Sequence, residues 1–177
     1  MTESSIPPGA RDFDFLIGEW RIHNRRLTER LVGADTWETF DATLSVRSIL
    51  GGLGNVDEFK ADWNGKRVEA LTLRIFNPHT EEWSLYWVDN LTAVVQPAVV
   101  GRFRDGRGEF FARDFHKGIP VLVRFIWKDI TGNSATWEQA FSMDEGQTWE
   151  TNWTMEFTRA GDETRQSHGT GSEGRRT

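Results

Sequence analysis

The sequence predicts an all-β fold: a single antiparallel up-and-down β-barrel of about ten strands, with a short N-terminal helical turn. Three observations carry that expectation. Segments rich in Trp, Phe, Val, Ile and Thr alternate apolar and polar residues with period two, the pattern of half-buried strands. Turn residues punctuate them regularly, at Val32-Gly33-Ala34, Gly51-Gly52-Leu53-Gly54, Asn64-Gly65, Asn77-Pro78, Asp105-Gly106, Lys117-Gly118, Thr131-Gly132-Asn133 and Asp144-Glu145-Gly146. Rings are abundant: 9 Trp and 12 Phe against a single Tyr in 177 residues, and so much aromatic surface calls for a concave interior.

The elements follow in order. A helical turn over 10–16 carries the apolar Phe13, Phe15 and Leu16 and is fit to plug one end. Strands are expected over 19–31, 35–50, 55–63, 67–76, 83–90, 99–104, 108–116, 119–129, 134–142 and 148–159. Short links make neighbours in sequence neighbours in space. A meander of this length leaves two exposed edges unless it closes, so closure near Trp20 is expected. The domain is placed at 12–159. Residues 1–11, with Pro7, Pro8 and Gly9, read as a flexible N-terminus, and 160–177, with no hydrophobic residue after Ala160, as a disordered tail.

Composition narrows the function classes. With 37% hydrophobic and 27% charged residues the chain fits one ordinary domain. Cysteine is absent, which removes disulfides, thiolate nucleophiles and sulfur-ligated metals and suits a reducing compartment. A net charge of −6 with no Lys/Arg cluster argues against a nucleic-acid partner. No apolar run approaches the ~18 residues of a membrane span, and the N-terminus lacks a basic stretch followed by an apolar one. The expectation is a cytoplasmic protein without a membrane partner, a homodimer being left open.

Leu16-Ile17-Gly18-Glu19-Trp20 places a G-x-W at the head of the first strand, after an apolar turn. It resembles the opening of lipocalin-type barrels, the calycin group. The resemblance implies that Trp20 packs across the closed base and that Gly18 lets the chain turn in beside it. More specifically, HNRRL at 23–27, GGLGNVDEF at 51–59, WEQAFS at 137–142 and WETNW at 149–153 resemble a family of bacterial calycin-like domains, a likeness that brings no activity with it. Nitrobindin-like calycins ligate haem through a His near the last strand. Residues 148–159 contain none, and His23, His79, His116 and His168 are scattered, so no cofactor and no metal site is expected.

Residues 142–149, Ser-Met-Asp-Glu-Gly-Gln-Thr-Trp, fit the S-x-D-x-G-x-T-W box of sialidases. A propeller needs several copies, so the single box reads as a hairpin, with Asp144 capping turn amides and Trp149 packing over them.

Strand alternation then assigns faces. With Trp20 inward, Ile22, Asn24 and Arg26 follow. Trp83, Leu85, Trp87 and Asp89 share a face, as do Val123, Phe125 and Trp127; Trp137, Gln139 and Phe141; and Thr151, Trp153, Met155 and Phe157. Asn55 and Asp57 join them if Phe59 is inside. Arg74, Tyr86, Arg124, Glu138 and Asn152 fall on the opposite faces; Arg74 and Arg124 sit between aliphatic neighbours, so a single bulge could swing either inward. A buried Arg26 needs Asp57, Asp89, an anionic ligand or an exit at the barrel mouth.

Two functions remain. As a binding module, the barrel takes a small apolar or aromatic molecule among Trp87, Trp127, Trp137 and Trp153, with polar contacts from Asn24, Arg26, Asn55, Asp57, Asp89 and Gln139. As an enzyme, the same cavity promotes a cofactor-free cyclisation, isomerisation or hydration, with Asp57 or Asp89 carrying the proton at a pKa raised by burial. His116, with Asp114 two residues away, and His23 are further candidate bases. No nucleophile elbow or phosphate loop is legible.

Overall fold

The computed structural model describes residues 6–161. Ten strands form it: β1 (Gly18–Leu27), β2 (Trp37–Ile49), β3 (Gly54–Trp63), β4 (Lys66–Asn77), β5 (Glu82–Asp89), β6 (Val99–Arg104), β7 (Arg107–His116), β8 (Ile119–Lys128), β9 (Ser134–Ser142) and β10 (Glu150–Arg159). Each pairs antiparallel with its sequence neighbour, and β1 pairs with β10, closing the barrel so that no edge is left open. Tight turns set the hairpins. Asn64-Gly65, Asp105-Gly106 and Lys117-Gly118 all take positive φ at both central residues, the twist-compatible two-residue connection.

One end is shut. The chain enters through 3₁₀ turns at Pro8–Arg11 and Asp14–Leu16, which lay Ala10, Phe13 and Leu16 across the base, all fully buried. Phe13 meets Trp83 and Phe103 edge-on, at 5.0 and 4.9 Å between centroids. Trp83 donates its indole N–H to Gly9 O at 3.0 Å. The 8–11 stretch, placed by sequence in the flexible N-terminus, therefore packs against the barrel; residues 1–5 and 162–177, the greater part of the two terminal segments, lie outside the described residues.

Trp20 seals the base from inside, donating to Leu16 O at 2.7 Å. Gly18 is required at the turn into β1, because its φ is +115° and a Cβ there would stand 2.9 Å from the Arg159 guanidinium. Gly101 is required for a different reason: a Cβ would sit 1.9 Å from Glu109 O, so only glycine lets β6 and β7 approach.

Burial alternates with period two along β1, β3, β4 and β7, and the faces assigned from Trp20, Trp83, Trp127 and Trp137 all point inward. Two residues assigned to the outer faces do not lie there. Arg74 is buried on the inner face of β4 with Val68, Thr72 and Phe76, while the apolar Leu73 and Ile75 occupy the outer face, half-buried. Asn152 is the extra residue of a bulge in β10, where the pairing with β9 shifts between Thr151 and Trp153, and it is fully buried.

Candidate functional site

The strand ends opposite the plug leave the barrel open. Inside lies a cavity of about 520 Å³. Its wall is a box of rings: Trp153 stands edge-on to Trp137 and Trp87, at 5.7 and 6.3 Å, and Phe59 and Phe125 back Trp87 and Trp137. Trp127 forms part of the floor, packed on the plug residue Phe15 at 5.7 Å. Its indole nitrogen is buried without a partner.

Asn24 and Asn55, expected to touch a ligand, sit behind the wall. Asn24 is fully buried and accepts the Trp153 indole N–H at 3.0 Å, which fixes that ring. Asn55 accepts from Arg74 at 2.9 Å. Arg26, Asp57, Trp87, Asp89, Trp127, Trp137, Gln139 and Trp153 do line the cavity.

Deep in the cavity, Asp57 and Arg74 form an ion pair at 2.7 Å with side chains 1% and 5% exposed. Asp57 also accepts the Thr72 backbone N–H at 2.8 Å. A buried guanidinium is tolerated here because a carboxylate and an amide oxygen meet it. Opposite, Gln139 donates to Asn152 at 2.8 Å, a contact made by the β10 bulge.

At the mouth the chemistry is cationic. Arg26 lies over the rings of Trp63 and Trp153, at 4.3 and 4.9 Å. Arg30, from the β1–β2 loop, lies 5.5 Å from the Phe141 ring, and burial followed by the nearby Arg26 pulls its pKa down to about 10. His116 stands beside Phe141, and burial, then Arg30, hold its pKa below the usual value. Exposed Leu91, Val94 and Val95 of the β5–β6 loop, and Phe115 and Ile119 beside the β7–β8 turn, lie at the same end.

The candidate aspartates are engaged by other contacts. Burial alone raises the Asp89 pKa, but hydrogen bonds from the Thr92 backbone, Trp87, the Thr92 hydroxyl and the Leu91 backbone outweigh it, and the net shift is downward. That corrects the expectation that burial lifts it. Asp57 is committed to Arg74 and Thr72. Asp114 accepts from the Phe115 backbone N–H rather than from His116, and His23 contacts Asp41 on the exposed outer surface. No group of three or more His, Cys, Asp or Glu among the described residues has the geometry of a metal site.

Sequence reasoning missed Arg30 and Trp63 and assigned Arg74 to the outer face. Trp63 was within reach, since it continues the Asp57, Phe59 face by period two. Arg74 was obscured by its apolar neighbours, and Arg30 lies past the end of β1, where alternation says nothing.

Among solved structures, the S-type phycobiliprotein lyase from Guillardia theta matches with a TM-score of 0.53 at 10% identity, over 83% of this chain and 89% of that one. The likeness is one of fold, a closed antiparallel β-barrel. No family model and no curated protein matches the chain. The described residues contain no helix long and apolar enough to cross a membrane.

Proposed function

We propose that this barrel binds a small, mostly apolar or aromatic molecule in its central cavity, without using a cofactor. The observation that carries the reading is the ring-walled space of about 520 Å³, open at one end and anchored by Trp153. Its volume falls in the range of small-molecule sites, and its lining combines aromatic walls with a few fixed polar groups. Trp87 and Trp153 have their indole N–H groups satisfied by Asp89 and Asn24, so their faces are held ready for a flat guest. The apolar residues around the mouth provide a hydrophobic route in. The Guillardia theta barrel is a phycobiliprotein lyase, which supports a pigment-like guest as one member of the class.

Binding is favoured over the cofactor-free enzyme reading because neither Asp57 nor Asp89 is set up as a proton carrier. The test is a panel of neutral hydrophobic and aromatic compounds, followed by tryptophan quenching and melting temperature. A saturable hit that stabilises by about 2.7 kcal/mol at 100 times Kd is expected. A panel that neither quenches nor stabilises sinks the reading.

A further inference from the structure

The mouth of the cavity holds two guanidinium groups that no carboxylate pairs directly. Among the described residues neither Arg26 nor Arg30 forms an ion pair or a side-chain hydrogen bond, and Arg26 Nε and Arg30 Nη2 are buried without partners. His116 Nε2, on the same cavity wall, is buried without a partner too. Three carboxylates lie close enough to act on the arginines electrostatically, namely Glu38, Asp89 and Glu150. Each is engaged elsewhere. Glu38 accepts from Asn64 at 3.1 Å, both Glu150 oxygens accept from Leu31 N, and Asp89 accepts from Trp87, Leu91 and Thr92. Buried donors of a charged group left unpaired are costly, and the two arginines also repel each other.

We infer that the guest carries a carboxylate, and that Arg26 and Arg30 bind it at the mouth while its aromatic frame lies among the tryptophans below. This rests on the cavity being a binding site and adds the chemical class of the ligand. A carboxylate suits the geometry. Arg26 lies over the Trp63 and Trp153 rings, 4.3 and 4.9 Å from their centroids, and a planar carboxylate accepts a pair of guanidinium N–H groups side by side. A single negative charge is also the better match, because Glu38, Asp89 and Glu150 already moderate the positive field.

The matched probes are naphthalene-2-carboxylate and 2-naphthamide, alike in shape and different in charge, titrated calorimetrically into the full chain. The carboxylate is expected to bind at least tenfold tighter, with the advantage shrinking as salt rises from 0.05 to about 0.5 M. Arg30→Gln, in the β1–β2 loop, is expected to lower the carboxylate's affinity several-fold more than the amide's, narrowing the difference. Arg26→Gln serves as a second variant, its fold checked by melting without ligand. Equal affinities for the two probes, or a preference that survives both variants, overturns the carboxylate assignment and leaves the cavity reading standing. If neither probe binds at millimolar concentration, both are overturned.

Discussion

The Arg159 guanidinium lies 3.9 Å over the ring of Trp20, joining the last strand to the first at the closed base. From there it donates to Ile17 O at 2.6 Å, to Phe15 O at 2.8 Å and to Gly132 O at 3.1 Å. One side chain thus ties the plug, the β8–β9 loop and the barrel seam to a single ring.

Arg159→Ala is expected to destabilise the fold by about 2–3 kcal/mol, from the lost stacking and the charge-assisted hydrogen bonds. Arg159→Lys should recover little, because an ammonium lacks the planar fork that reaches several carbonyls. Trp20→Ala is expected to cost more, about 3–5 kcal/mol. Urea unfolding midpoints measure all three, and a Lys variant as stable as the parent would refute the geometric part.

Removing one partner of the buried Asp57–Arg74 pair should be severe. Arg74→Met leaves the carboxylate buried and unpaired, at an expected cost of about 3–5 kcal/mol. The double change Asp57→Leu with Arg74→Met is expected to regain part of that loss. A double variant less stable than the single would show that the pair stabilises the fold outright.

The β9–β10 hairpin should be acid-sensitive in a narrow window. Asp144 accepts from the Thr148 hydroxyl and backbone and from the Ser142 hydroxyl, which together bring its pKa down from 3.8 to about 2. Because the folded value is the lower one, this contribution is fully present above about pH 4 and is lost as pH falls towards about 2. Amide exchange or chemical shifts of Thr148 should track it, and Asp144→Asn should flatten the response in that range.

Trp153→Ala is expected to lower the affinity for any aromatic hit at least tenfold, since that ring bridges Trp87 and Trp137. Asn24→Leu should weaken binding less, by freeing the indole it holds. Competition titration of the two variants gives the order, and equal losses would mean that Asn24 reaches the guest itself.

Much of this molecule was determined by its sequence locally. Period-two alternation and turn chemistry each depend on a few adjacent residues, so the ten strands, the hairpin turns at Asn64-Gly65, Asp105-Gly106 and Lys117-Gly118, and the inward faces of Trp20, Trp87, Trp127 and Trp137 could all be read from it. The box at 142–149 was likewise legible as a hairpin, because its hydrogen bonds run between residues at most four apart.

Closure of the barrel decided the rest. Which side of β4 is inside depends on its partners across the sheet, so Arg74 among Leu73 and Ile75 looked external until Asp57 and Asn55 were brought to face it. A single bulge turned Asn152 to Gln139, and bulges arise from pairing rather than from composition. Asn24 and Trp153 meet only because β1 pairs with β10, and Arg30 reaches the mouth only because its loop folds over Phe141. Alternation reports which residues share a face. Only the tertiary structure reports what that face meets, because the distances that pair charges and stack rings are set between strands far apart in the chain.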